Sequence, residues 1–140
     1  MDETQRSALR QRLGAIPITA SLHLRLDALD LGLATLTAPY NRAFDGIFRS
    51  FHGGLLMTVA DTAACVAVLT QAGPDAQVTT TDMGIRFLAP CRSDATATAR
   101  VIKFGRTLCP VAVDVRDAAG VLVAVAQVTY LRLTGPTPRG

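Results

Sequence analysis

The period of the apolar positions changes several times along this chain, and each change marks an element. Residues 3–13 (ETQRSALRQRL) are polar, with Leu9 and Leu13 at i,i+4 spacing. That pattern predicts a short surface helix within residues 1–16, ended by Pro17. Residues 20–27 (ASLHLRLD) alternate strictly, with Leu22, Leu24 and Leu26 on one side and His23, Arg25 and Asp27 on the other. A half-buried strand is expected there, followed by a turn near Ala28–Asp30. A second strand is expected over 31–38 (LGLATLTA), closed by Pro39. Residues 40–51 (YNRAFDGIFRSF) read as a loop holding Phe44, Phe48 and Phe51.

Residues 53–72 are apolar on nearly every side, which predicts one long buried helix. Gly73-Pro74 terminates it in the usual way, with glycine at the cap and proline beyond. Four strands are expected next, over 77–88, 94–104, 108–116 and 121–133. Asp117-Ala118-Ala119-Gly120 joins the last two as a hairpin. Residues 134–140 (TGPTPRG) are expected to form a flexible tail. The outline is an α+β chain of one domain, 1–140. Its antiparallel sheet must wrap around one long central helix to cover that helix's apolar surface.

Composition narrows the class. Hydrophobic residues make up 49% and charged residues 18%, the balance of a globular chain. The net charge of +3 is mild, and Lys and Arg do not cluster with interleaved aromatics, so no nucleic-acid partner is expected. Cys65, Cys91 and Cys109 fit no metal-ligand spacing, so no metal is expected, and they read as reduced thiols. The N-terminus lacks the apolar core of a signal peptide, which points to the cytoplasm. The 53–72 stretch is long enough to span a membrane. Asp61 near its centre argues against that, at roughly 3 kcal/mol on insertion scales.

Asp61 is also the one formal charge between Ser50 and Asp75. An acid midway along a buried helix needs a partner or a task. Gly54, Thr58, Asp61 and Cys65 recur on one stripe, so one helix face lines something other than hydrocarbon. The helix opens on His52-Gly53-Gly54, where free backbone N–H groups and the positive dipole end are available. Glycine there permits close approach of a ligand to the backbone. Together these features read as an oxyanion site and a water-activating carboxylate.

That order of elements, with HGGLLMTVADTA (52–63), VTTTDMGIRFLAP (78–90), RVIKFGRT (100–107) and DAAGVLVAVAQVTYL (117–131), resembles the hotdog-fold acyl-CoA thioesterases. The branch is that of the phenylacetate-pathway thioesterase and the human-type thioesterase superfamily members. The resemblance covers roughly residues 17–133. It implies that the Gly53 N–H polarises a thioester carbonyl, with Gly54 beside it. It also implies that His52 lies next to that carbonyl or fixes the loop. Asp61 is then the catalytic carboxylate, and Thr80 helps hold the attacking water. Phe87, Leu88, Ala89 and Pro90, together with Lys103, Gly105 and Arg106, are implied to flank coenzyme A, which is part of the substrate. No separate cofactor is implied. The Phe-rich loop then either lines an acyl pocket or seals a core edge. The chain departs from the family's NxxGxxHGG arrangement, because Gly46 stands at the Asn position and Arg49 at the Gly position. Asp45 is the nearest polar substitute.

Spacing adds a further expectation. Gly53 and Asp61 lie eight residues apart, about 12 Å along one helix. A reacting carbonyl must sit roughly 3 Å from both groups. One helix cannot serve one thioester with both, so the site is expected to pair Gly53 of one subunit with Asp61 of another. That makes the protein a homodimer at least, or a homotetramer. The expected reaction is hydrolysis of an aromatic or medium-chain acyl-CoA. The rivals are a hotdog acyl-thioester hydratase or dehydratase and a non-catalytic acyl-CoA-binding module.

Overall fold

The computed structural model describes residues 1–133, so the tail expected over 134–140 lies outside the described residues. Helix α1 (Glu3–Gly14) starts at Asp2, whose carboxylate accepts from the Gln5 N–H while the Gln5 side chain accepts from the Asp2 N–H. This reciprocal cap satisfies two otherwise free donors. Leu9 and Leu13 are its buried residues, as their spacing predicts.

Pro17 does more than stop α1. It opens a second short helix, α2 (Pro17–Ser21), where its fixed φ and missing N–H suit a first helical position. The strand expected over 20–27 is therefore corrected. Leu22 closes α2, His23 takes a left-handed φ of +52°, and strand β1 runs from Arg25 to Asp30. The turn expected at 28–30 is strand as well. The Leu22/Leu24/Leu26 alternation arose from a helix end, a left-handed residue and a strand start in succession. β1 also carries a bulge at Asp27, so Leu26 and Leu29 pair with Leu36 and Ala34 on the core side.

Strand β2 (Leu33–Ala38) follows, then a 3-10 turn at Arg42–Phe44 and the central helix α3 (Gly53–Ala72). Strands β3 (Val78–Phe87), β4 (Ala95–Val101), β5 (Leu108–Arg116) and β6 (Leu122–Arg132) complete the sheet. β4 ends three residues earlier than expected, and 102–107 forms a loop. All neighbours are antiparallel, in the order β1-β2-β4-β5-β6-β3.

The sheet curls around α3, the hotdog arrangement expected. Ala34, Ala38, Ala95, Ala97 and Ala99 meet Ala60, Ala63, Ala64 and Ala67 of α3, all buried. Small side chains on both surfaces let helix and sheet pack closely. Val111, Val113, Val115 and Val128 fill the wider part of the core. α3 is long and apolar enough to cross a membrane, yet 56% of its most apolar window is buried inside the fold. One side of α3 stays open: Met57, Thr58, Asp61, Thr62 and Cys65 are only half-buried. The open side faces the β3 margin, where, among the described residues, β3 pairs with β6 alone and its other edge is unpaired.

Candidate active site

Asp61 is held by a cross-strand pair. Thr80 of β3 lies opposite Tyr130 of β6. The Thr80 hydroxyl donates to Asp61 Oδ1 at 2.8 Å, and the Tyr130 hydroxyl lies 2.7 Å from the same oxygen and 2.9 Å from the Asp61 carbonyl. Among the described residues no hydrogen bond reaches Oδ2, so that oxygen is left for chemistry.

A bulge makes this possible. Thr80 pairs with Tyr130 and Asp82 with Thr129, so Thr81 is the extra residue. Strict alternation would place Thr80 on the side of Asp82 and Arg86, away from the helix. The inserted Thr81 shifts the phase, and Val78 and Thr80 join Met83, Ile85 and Phe87 on the helix side.

Tyr130 was not anticipated from sequence. It is 4% exposed, and burial pushes its hydroxyl above the usual phenol range, with Cys65 and the Asp61 carboxylate adding to the rise. It therefore stays a donor to Asp61. A buried phenol needs a polar partner. The available signal was its place in β6, two residues after Val128 on the core side.

At the head of α3, His52 caps the helix. Its Nδ1 accepts from the Gly54 N–H at 2.9 Å, which requires the tautomer with hydrogen on Nε2. Of the two roles implied for His52, the cap is the loop-fixing one. Gly54 thus spends its N–H on the cap, and the adjacent Gly53 N–H is the donor left for a ligand. Both glycines are closely approached by side-chain rings. A Cβ at Gly54 would lie 3.1 Å from His52 Nδ1, and one at Gly53 would lie 3.1 Å from Phe87 Cζ. Gly53 lines a cavity of about 370 Å³ with Phe51, Leu56 and the 87–91 segment. Phe87, Leu88, Ala89 and Pro90 are therefore brought to Gly53.

Lys103, Gly105 and Arg106 are not. Their loop follows β4 at the opposite end of the sheet. There Arg132, paired with Val78, donates to the Gly105 carbonyl at 3.1 Å and stacks over Phe104 at 4.2 Å. Gly105 cannot be replaced simply, because a Cβ would lie 2.2 Å from the Leu108 carbonyl oxygen. Near the same end, Val101 donates to Gly32, and Gly32 donates to Thr70 in the last turns of α3. Within one chain, then, two pieces lie at the start of α3, one at its end, and Asp61 between.

The departures from NxxGxxHGG are also placed. Arg49 adopts φ +54°, the left-handed conformation that glycine takes freely. Asp45 is engaged elsewhere, accepting from the Tyr40 hydroxyl at 2.8 and 2.9 Å. Asn41 caps the 3-10 turn. Neither replaces the family asparagine. The three loop phenylalanines divide: Phe51 is core, Phe44 is half-buried, and Phe48 is 79% exposed.

Comparison with known proteins agrees with this fold. The family model of the thioesterase superfamily matches residues 48–124, more than half of the chain. A Saccharolobus solfataricus protein described as a candidate esterase is 31% identical over 106 residues, 75% of each chain. A thioesterase family protein of Silicibacter pomeroyi superposes with a TM-score of 0.87 at 28% identity, covering 94% of this chain and 99% of its own. The PaaI protein of the E. coli phenylacetic acid degradation operon shares the fold at TM-score 0.84, with 23% identity and coverage of 94% and 97%. The chain therefore belongs to the thioesterase superfamily and is a hotdog-fold thioester hydrolase.

Proposed function

We propose that the protein hydrolyses an aromatic or medium-chain acyl-CoA in the cytoplasm, at a site that two subunits build together. One observation carries this reading: Asp61, oriented by Thr80 and Tyr130 on the open side of α3, has Oδ2 free. The matching oxyanion donor, the Gly53 N–H, lies about 12 Å away along the same helix. A partner helix running antiparallel alongside brings its Gly53 to this Asp61.

The sheet supports the same operation. Gly53 sits beside Phe87, and Asp61 bonds Thr80. In the bulged register, Thr80 and Phe87 pair with Tyr130 and Ala124, and midway between them lies Gln127, the partner of Gly84. An antiparallel pairing of two β3 edges centred near Gly84 sets Thr80 opposite the other chain's Phe87. The same rotation carries the Gly53 and Phe87–Pro90 end of one chain to the Lys103–Arg106 end of the other. All the pieces expected around coenzyme A then meet, twice per dimer.

In that site water attacks the thioester carbon, and Asp61 Oδ2 takes its proton. The developing oxyanion is met by the Gly53 N–H and the positive end of α3. The C–S bond breaks, and the proton passes to the departing thiolate. Direct attack by Asp61 through an anhydride gives the same products; 18O-water in a single turnover labels the Asp61 carboxylate only on that route.

Replacement of the carboxylate tests the reading. Asp61→Asn lowers kcat for thiol release from a panel of acyl-CoA substrates at least about a hundredfold with the fold intact. Near-wild-type release by that variant, or enoyl-CoA hydration in place of thiol release, would reject it.

A further inference from the structure

A second cavity, of about 190 Å³, lies between α1 and the open side of α3. Leu13 and Ile16 wall it on one side and Cys65, Val66 and Leu69 on the other, and Val78 closes the end. It is more enclosed than the cavity beside Gly53, and its lining is mainly apolar, with Arg12 and Thr62 as its polar members. Resting on the hydrolase reading above, we propose that this cavity receives the acyl group of the substrate, and that α1 is the wall that sets its size.

Three observations carry this. The first is position. Cys65 follows Asp61 by four residues, one helical turn, and Val78 precedes Thr80 by two, one strand repeat. The cavity therefore begins about 6 Å from the carboxylate, the length of one turn. The Cys65 thiol lies beside the Tyr130 hydroxyl that orients Asp61, so the cavity and the Asp61 cluster share a wall.

The second is chemistry. Burial holds the Cys65 thiol above its usual range, which leaves it a neutral, unreactive lining group. The hydroxyls of Thr58 and Thr62 are spent on the carbonyls of Gly54 and Thr58 within α3. With Thr62 so engaged and the Arg12 guanidinium spent on the Pro74 and Ala76 carbonyls, what remains is a mainly apolar slot whose volume suits one ring or a chain of similar bulk, since a cavity of about 150 Å³ lined by aliphatic and aromatic side chains accepts benzene.

The third is the fastening of the wall. Arg6 donates to the Leu29 carbonyl and Arg10 to the Leu26 carbonyl, both on β1. Arg12 donates to the carbonyls of Pro74 and Ala76 beyond α3. α1 is thus pinned at both sides, which gives the cavity a fixed depth.

The test measures equilibrium binding of non-hydrolysable thioether analogues of phenylacetyl-CoA and acetyl-CoA, so it does not depend on turnover. Two variants fill the cavity, one from its side and one from its end: Ile16→Trp, at a position 38% exposed, and Val78→Phe, at a half-buried strand start. Wild-type protein is expected to bind the phenylacetyl analogue at least tenfold tighter than the acetyl analogue. Each variant closes most of that gap while acetyl-analogue binding holds. An undiminished gap in both variants, with circular dichroism matching wild type, overturns the proposal, as does an equal loss for both analogues. If the gap closes but wild-type protein releases no thiol from any acyl-CoA, the acyl pocket stands and the hydrolase reading falls.

Discussion

A single carboxylate sits where three elements converge, and its neighbours decide what it can do. Thr80 and Tyr130 both reach Oδ1, which fixes the rotamer and directs Oδ2 outward. Removing one of two bonds to a charged acceptor forfeits roughly 1.5–3 kcal/mol. Tyr130→Phe is therefore expected to lower kcat by at least about tenfold with little change in KM, as steady-state thiol release would register. The same variant carries a pH signature. Burial raises the folded-state pKa of Tyr130 above its ordinary value of 10.0. Its contribution to stability is thus complete below about pH 10 and is lost as pH rises beyond it, because the unfolded chain releases the proton first. Denaturant midpoints between pH 8 and 11 should fall less steeply for Tyr130→Phe than for wild type; parallel slopes would show that the burial is not felt. Gly53, Asp61 and His52 were legible because each is an unusual residue in an apolar run. Tyr130 was not, since an aromatic in a strand is what β propensity alone favours.

Among the elements, what sequence could show depends on whether the period was clean. α3 was readable at both ends, from the paired glycines to Gly73-Pro74. The bounds of β3, β5 and β6 lie within a residue of those expected. In the 17–30 region period two runs across a helix end, a left-handed residue and only then a strand start, so the strand begins five residues later than the pattern predicts. Proline also served as a start rather than a stop. Bulges at Asp27 and Thr81 were invisible, because an extra residue leaves composition unchanged while reversing which side later residues face. The second of these turns Thr80 toward Asp61. The loop before α3 makes its own prediction. A left-handed conformation disfavours a residue with Cβ by about 1–2 kcal/mol, offset in part by the extra backbone entropy of glycine. Arg49→Gly should therefore raise stability by about 0.5 kcal/mol, read as a higher melting temperature, and a lower one would contradict the strain at this position.

At the scale of the whole molecule, one chain holds the pieces of the proposed site apart. Gly53 and the 87–90 segment lie at one end, Lys103–Arg106 at the other, and Asp61 between them. In the proposed dimer, one two-fold rotation near Gly84 joins them, with the β3 edge and the open side of α3 as the surfaces that would meet. The spacing within 53–61 is what points to two chains. Which strand forms the sheet edge was not legible, because edge strands are fixed by sheet order, and sheet order is set by packing between distant segments.

Complementation between two inactive variants measures this most directly. Gly53→Pro removes the free N–H at a first helical position where proline is tolerated, and His52 before it already has the extended ψ of 131° that a following proline demands. The exposed Phe87 ring has room to yield to the added Cβ. Asp61→Asn removes the carboxylate. Each alone is expected to lose at least about a hundredfold in kcat. Co-refolded in equal amounts, half of the dimers carry one of each chain, and one of their two sites is wild type in both groups. Thiol release should then return to about a quarter of the wild-type rate per chain. A mixture no more active than its two components would place both groups in one subunit and contradict the shared site.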